Sequence, residues 1–203
     1  KLIQFGFAML MLRLISPAEA GRYTVAVTWI GLTDILANFG LSVWATREAA
    51  QKPTDAGRIL SQSLLLRLLL WTLAVVLLAA ALALRGGLAP DGRQAILFLA
   101  LGLLPSQMSA AISSLFQARE RLVLPALVGL ATTLVNVALG AALLLAGGGI
   151  AGVALASLCS NLATLGLFLA LALREGIRPR WGGALAGLGL VLAACWPLMI
   201  TSL

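Results

Sequence analysis

The chain has 203 residues, 61% of them hydrophobic and 10% charged, with a mean hydropathy of +1.05. A soluble domain is nearer a quarter charged, and no soluble core could hide this much leucine and alanine, so the composition points to a polytopic α-helical membrane protein. The net charge of +7 comes from arginines in short loops between apolar runs, which is the pattern of topogenic charges and not of a nucleic-acid interface. Strand-style alternation is absent, which argues against an outer-membrane barrel.

A membrane span needs about 20 apolar residues. The first run, Lys1 to Ile15, is shorter and carries Arg13 near its end. It leads into a polar turn, Ser16-Pro17-Ala18-Glu19-Ala20-Gly21. The chain opens on Lys-Leu-Ile within this apolar run and ends in Thr-Ser-Leu within another, so a longer parent protein is expected. No signal-peptide cleavage pattern follows the first run.

The second run, Arg22 to Glu48, reads as one membrane-spanning helix with Asp34 near its middle and Asn38 one turn later. A carboxylate at that depth costs about 2.5–3.5 kcal/mol on insertion scales, so it is expected to face a protein interior or a water-filled path. A charged loop with Pro53, Asp55 and Gly57 follows. The third span runs from Ile59 to Leu84 and carries Arg67. The fourth, Gln94 to Gln117, contains Pro105, which kinks a helix and frees a carbonyl for neighbouring helices to satisfy.

The short loop Arg119-Glu120-Arg121 leads to a fifth span, Leu122 to Ala146. A turn of three glycines, Gly147 to Gly149, precedes the sixth, Ile150 to Leu173. After a basic loop, Arg174 to Arg180, a seventh span begins at Trp181, with Gly183 and Gly187 at GxxxG spacing. The expected domains are a six-helix lobe over residues 1–175 and a linker with the start of span seven over 176–203, the second lobe lying beyond.

Alternate loops differ in charge. Arg47, Lys52, Arg58, Arg119, Arg121, Arg174, Arg178 and Arg180 fall on one side, and Arg22, Arg85 and Arg93 on the other. The positive-inside rule makes the first side cytoplasmic, and the N-terminus with it. At about 1.5 Å per residue, the complete spans then bring Asp34, Arg67, Ser106 with Gln107, Asn136 and Asn161 near the central third of the bilayer.

Several of these residues sit on stripes. Ser106, Ser109, Ser113 and Gln117 share one helix face, as do Gly129, Thr133, Asn136 and Gly140, and Ser157, Asn161 and Thr164. Polar stripes on several helices fit a bundle whose interior is wetter than its lipid face. The competing account is that such groups only glue helices together, at about 0.6 kcal/mol per contact. Two further readings stand for the ions: Arg67 snorkels to the cytoplasmic interface, or it forms a structural pair with Asp34. Arg13 is either an interfacial snorkeller or an anion contact at a cavity mouth. Trp44 and Trp181 read as interfacial anchors.

Cys159 and Cys195 lie inside apolar runs and read as small hydrophobes. The chain has no His, which removes the usual metal ligand and general base, so neither a metal nor a cofactor is expected. Loops of about a dozen residues at most leave little room for the acid–base pair of a membrane glycosyltransferase, so an enzyme is not expected.

The segment Leu12-Arg13-Leu14-Ile15-Ser16-Pro17-Ala18-Glu19-Ala20-Gly21-Arg22-Tyr23 resembles the signature (A/L)RLLGPEEYGLY of polysaccharide flippases, with Ser16 where glycine is usual. Asn38-Phe39-Gly40-Leu41-Ser42 with Thr46-Arg47-Glu48 is similar to their "DFGLS…TRE" helix ending. Phe116 to Arg121 and Gly149 to Ala154 resemble two of their turns, in register with the others. On these motifs the chain is similar to the Wzx-type oligosaccharide flippases, in the superfamily that includes MATE exporters and MurJ-type lipid II flippases.

That resemblance implies a two-lobe transporter with a central cavity in the bacterial cytoplasmic (inner) membrane. The implied substrate is an undecaprenyl-pyrophosphate-linked oligosaccharide, moved by alternating access for polysaccharide or lipopolysaccharide synthesis, with glycan polymerase or transferase machinery as partners. The residues expected to line the cavity are Arg13, Asp34, Asn38, Arg67, Gln107, Asn136 and Asn161, with a proton or sodium ion as coupling ion. The alternatives are an ion-coupled MATE-like drug exporter, which would want a more acidic cavity, and a non-transport membrane subunit.

Overall fold

A computed structural model of the chain describes residues 2–85, 90–182 and 187–201. Among these the chain is all helical. Helix α1 spans Leu2–Leu14, α2 Pro17–Asn38 and α3 Leu41–Gln51, and a short 3-10 turn covers Pro53–Asp55. Then come α4 (Ala56–Arg85), α5 (Pro90–Ala118), α6 (Val123–Leu145), α7 (Gly149–Arg174) and α8 (Leu188–Thr201). Five segments are long and apolar enough to cross a membrane: the α2–α3 unit, α4, α5, α6 and α7. Gly183 of the expected GxxxG pair lies outside the described residues.

The turn expected over residues 16–21 is far shorter. Ser16 is the N-cap of α2, with Pro17 at the first helical position. The Ser16 Oγ accepts from the Glu19 backbone N–H at 3.3 Å, and the Ser16 backbone N–H donates to the Glu19 carboxylate at 2.9 Å. This reciprocal box satisfies two end groups of the helix, and with proline at the first helical position the turn is only Ile15 and Ser16.

The second span is not one helix, which corrects the sequence expectation. It breaks at Phe39 (φ 40°) and Gly40 (φ 73°), both left-handed, between α2 and α3. Glycine carries that geometry without strain, whereas Phe39 meets a steric penalty of about 1–2 kcal/mol. The break re-aims the second half of the span. Trp44, expected at the interface, is instead buried in the core with Leu41, Ile59, Phe116 and Val191.

Helix α5 is the hub. It is the most buried of the spanning helices and packs on α2, α3, α4 and above all α7. The α5–α7 seam is close because its residues are small. A Cβ placed on Gly102 would lie 3.3 Å from the Leu158 Cα, and Ala111, Ala154, Ala156 and Ser160 are buried on these two helices. In lipid, where tails are as apolar as leucine, such close backbone approach replaces the hydrophobic effect as the source of association. The outer faces of α4 and α6 leave Leu69, Leu73, Val76, Leu127 and Leu134 exposed, as lipid contact requires.

At the hub's proline, side-chain donors come from both flanking helices. Pro105 has no N–H, so the Leu101 carbonyl loses its helical donor. The carbonyls on either side of it take other partners. Ala100 O accepts from the Trp71 indole N–H at 3.0 Å, and Gly102 O from the Asn161 amide at 3.0 Å.

Candidate functional site

The break between α2 and α3 lies beside a chain of polar side chains from four helices. Asp34 stands on α2, one turn before Asn38, the last residue of that helix. The Gln107 amide of α5 donates to Asp34 Oδ1 at 2.6 Å. The carbonyl oxygen of the same amide accepts from Arg67 Nη1 of α4. Arg67 Nη2 donates to the Ser42 hydroxyl of α3 at 2.7 Å, and Ser42 in turn donates to Asn38 Oδ1 at 2.9 Å. Arg67 Nε makes a longer bond, 3.4 Å, to Ser63 one turn back on its own helix.

The order of groups is electrostatically consistent. The amide presents its N–H to the anion and its carbonyl to the cation, which fixes the orientation of the Gln107 side chain. Asp34 and Arg67 form no direct ion pair. Arg67 is 0% exposed and Gln107 4%, whereas Asp34 is only half-buried. Arg67 therefore does not snorkel, and all three of its nitrogens are engaged by neutral oxygens. Charge-assisted hydrogen bonds of this kind are what keep a buried guanidinium tolerable. The relay also ties α3 to α4 and α5 across the helix break, since Ser42 lies in the first turn of α3.

The other residues expected at the cavity sit apart from this chain. Asn161 binds the Gly102 carbonyl and so belongs to the α5–α7 seam. Asn136 lines a separate cavity of about 320 Å³ with Phe7, Tyr23, Thr132, Thr133 and Ser157, between α1, α2, α6 and α7. Arg13 is exposed in the last turn of α1 and makes no hydrogen bond among the described residues. Ser42 and Ser63 join the site although neither was among the expected cavity residues. The signal for Ser63 was present, since it is four residues before Arg67 on the same helix face. Ser42 carried the same signal, since it follows Asp34 and Asn38 at spacings of four.

No cluster of three or more potential metal-binding side chains exists among the described residues. The site is a hydrogen-bonded relay between one carboxylate and one guanidinium, set at a broken helix within a membrane bundle. The whole chain, residues 1–203, matches the protein family described as "Polysaccharide biosynthesis protein". The chain belongs to this family.

That family is the one of Wzx-type polysaccharide flippases, and its members are mainly transporters. With five spanning-type segments among the described residues, this member of the polysaccharide biosynthesis family is a multi-pass membrane protein. No curated protein and no solved structure matches it.

Proposed function

We propose that this polysaccharide biosynthesis protein is a flippase lobe. In that role it moves an undecaprenyl-pyrophosphate-linked oligosaccharide from the cytoplasmic to the outer leaflet by alternating access. Membership of the family supports a transport role in polysaccharide synthesis. The observation that carries the mechanism is the Asp34–Gln107–Arg67–Ser42 relay across the α2–α3 break. Discontinuous helices with ionisable partners are the recurring site of ion and substrate coupling in repeat-built transporters.

In this reading Asp34, half-buried with one oxygen held by Gln107, is where a proton or sodium ion arrives. A cation on that carboxylate competes with the Gln107 N–H. The Gln107 carbonyl is then free to turn from Arg67, and Arg67 loosens its hold on Ser42. The α2–α3 hinge changes angle as a result, and with it the opening of the lobe. Arg67, fully enclosed, positions this hinge and does not touch substrate. Arg13, exposed, is the guanidinium of this group left for a pyrophosphate, whose geometry it suits. The Asn136 cavity offers amide and hydroxyl groups to sugar or water.

The arginine-rich end, with the N-terminus, faces the cytoplasm of the inner membrane. The test is glycan export by the full-length protein in cells lacking their own flippase. Asp34→Asn and Arg13→Gln are expected to abolish or strongly reduce export at normal expression. Normal export by both variants would refute the proposal. Efflux of cationic drugs without glycan export would place the chain with the exporters instead.

A further inference from the structure

Three loops meet at the arginine-rich end of the bundle. The residues between α3 and α4, the turn after α5 and the segment after α7 enclose a polar cavity of about 270 Å³. Arg119, Arg178 and Arg180 line it, together with Pro53, Thr54 and Gly57. The cavity is built in a defined way. The Arg180 backbone N–H donates to the Gly57 carbonyl at 3.0 Å. A Cβ on Gly57 would stand 2.6 Å from the Arg178 carbonyl oxygen and 3.1 Å from the Arg180 Cγ. Glycine at this position is what lets the arginine-bearing segment lie directly on the first turn of α4.

The charges at this end do not cancel within the cavity. Glu48 pairs with Lys52, Asp55 with Arg58 and Glu175 with Arg121. Glu120 is exposed, does not line the cavity and makes no ion pair among the described residues. Arg119, Arg178 and Arg180 are also without a side-chain partner among the described residues, and all three line one small cavity. Like charges gathered at one cavity repel one another, and an anion among them reduces that repulsion. Guanidinium forks match phosphate oxygens two at a time, and the first-turn N–H groups of α4 add favourable potential beside them.

We propose that this cavity binds a phosphate-bearing anion, supplied as the headgroup of an anionic bilayer lipid. The position favours a lipid source: the cavity is lined by the first turn of α4 and by residues just past the ends of α5 and α7, and basic pockets between the ends of spanning helices take phospholipid headgroups. The site is separate from the Asp34 relay and does not depend on the flippase reading.

The test uses the full-length protein in detergent, with lipid retention followed by native mass spectrometry. The probes are phosphatidylglycerol, phosphatidylcholine and inorganic phosphate. Wild type is expected to retain phosphatidylglycerol at least five-fold better than phosphatidylcholine. Arg178→Gln/Arg180→Gln is expected to lose that preference, while Arg47→Gln/Arg174→Gln, which removes the same charge at the same end outside the cavity, keeps it. Displacement of the lipid by low-millimolar inorganic phosphate would keep the site and reassign its ligand to the soluble ion. Equal loss in the two double variants, or equal retention of both lipids by wild type, would overturn the proposal.

Discussion

Asp34 and Arg67 are joined through one amide and do not touch each other. Gln107 holds the carboxylate with its nitrogen and the guanidinium with its oxygen, so each ion feels the other through an oriented dipole. Such a bridge leaves the carboxylate able to exchange its partner while Arg67 keeps its bond to Ser63 on its own helix.

The bridge gives opposite expectations for two substitutions at one position. Gln107→Leu leaves a buried guanidinium and a half-buried carboxylate each short of a partner, which should destabilise the protein by about 3 kcal/mol. Gln107→Glu keeps an acceptor for Arg67 and should unfold close to wild type, yet it sets two carboxylates against each other and should still lose export. Thermal unfolding of the purified full-length protein separates the two. An unchanged midpoint for Gln107→Leu would mean that the relay carries no stability.

The left-handed hinge should be sensitive at Gly40. Its φ of 73° suits glycine, and Gly40→Ala adds a Cβ clash of about 1–2 kcal/mol. The loss should appear in thermal unfolding and, if the hinge moves during transport, as a larger fall in export than the stability change explains. A wild-type midpoint would argue that α2 and α3 join differently.

One close contact of α1 with α6 depends on a glycine. A Cβ at Gly140 of α6 would lie 2.7 Å from the Phe7 ring. Gly140→Val is therefore expected to destabilise by about 1–3 kcal/mol, and Phe7→Ala in the same chain should recover much of it. Additive losses in the double-mutant cycle would show that the two residues do not meet.

Asn161 offers a control for the relay. Its amide serves the Gly102 carbonyl in the α5–α7 seam. Asn161→Leu should cost about 0.6 kcal/mol, the average for a hydrogen bond between membrane helices. Export should stay within about two-fold of wild type; a ten-fold loss would move Asn161 from packing into the transport path.

The apolar runs were long and cleanly separated, so the third to sixth spans could be read from hydropathy with edges displaced by only a few residues, whereas the helix expected from Trp181 is described only from Leu188. The meeting of Asp34 with Gln107 and Arg67 was legible only as shared depth. Depth does not say which helix faces point at each other, and Asn136 and Asn161 lie on helices whose equivalent faces serve other neighbours. The α2–α3 break was harder still. Asn38-Phe39-Gly40 carries the residues of a helix end, but hydropathy continues smoothly through it, and the left-handed Phe39 contradicts its own local preference. Tertiary contacts hold it there, including its ring beside Trp196 at 6.2 Å between centroids. Trp44 then turns inward, which no interfacial rule for tryptophan anticipates.

The central claim is that the Asp34 carboxylate couples an ion to movement of a lipid-linked glycan. The direct measurement is flipping of a fluorescent undecaprenyl-pyrophosphate oligosaccharide by the full-length protein in proteoliposomes, with and without a proton or sodium gradient. Asp34→Asn keeps an oxygen for the Gln107 amide and should fold within about 1 kcal/mol of wild type. The account expects wild type to accelerate with one of the gradients and Asp34→Asn to lose at least ten-fold in gradient-driven rate. A variant that flips at the wild-type rate and responds equally to the gradient would contradict it.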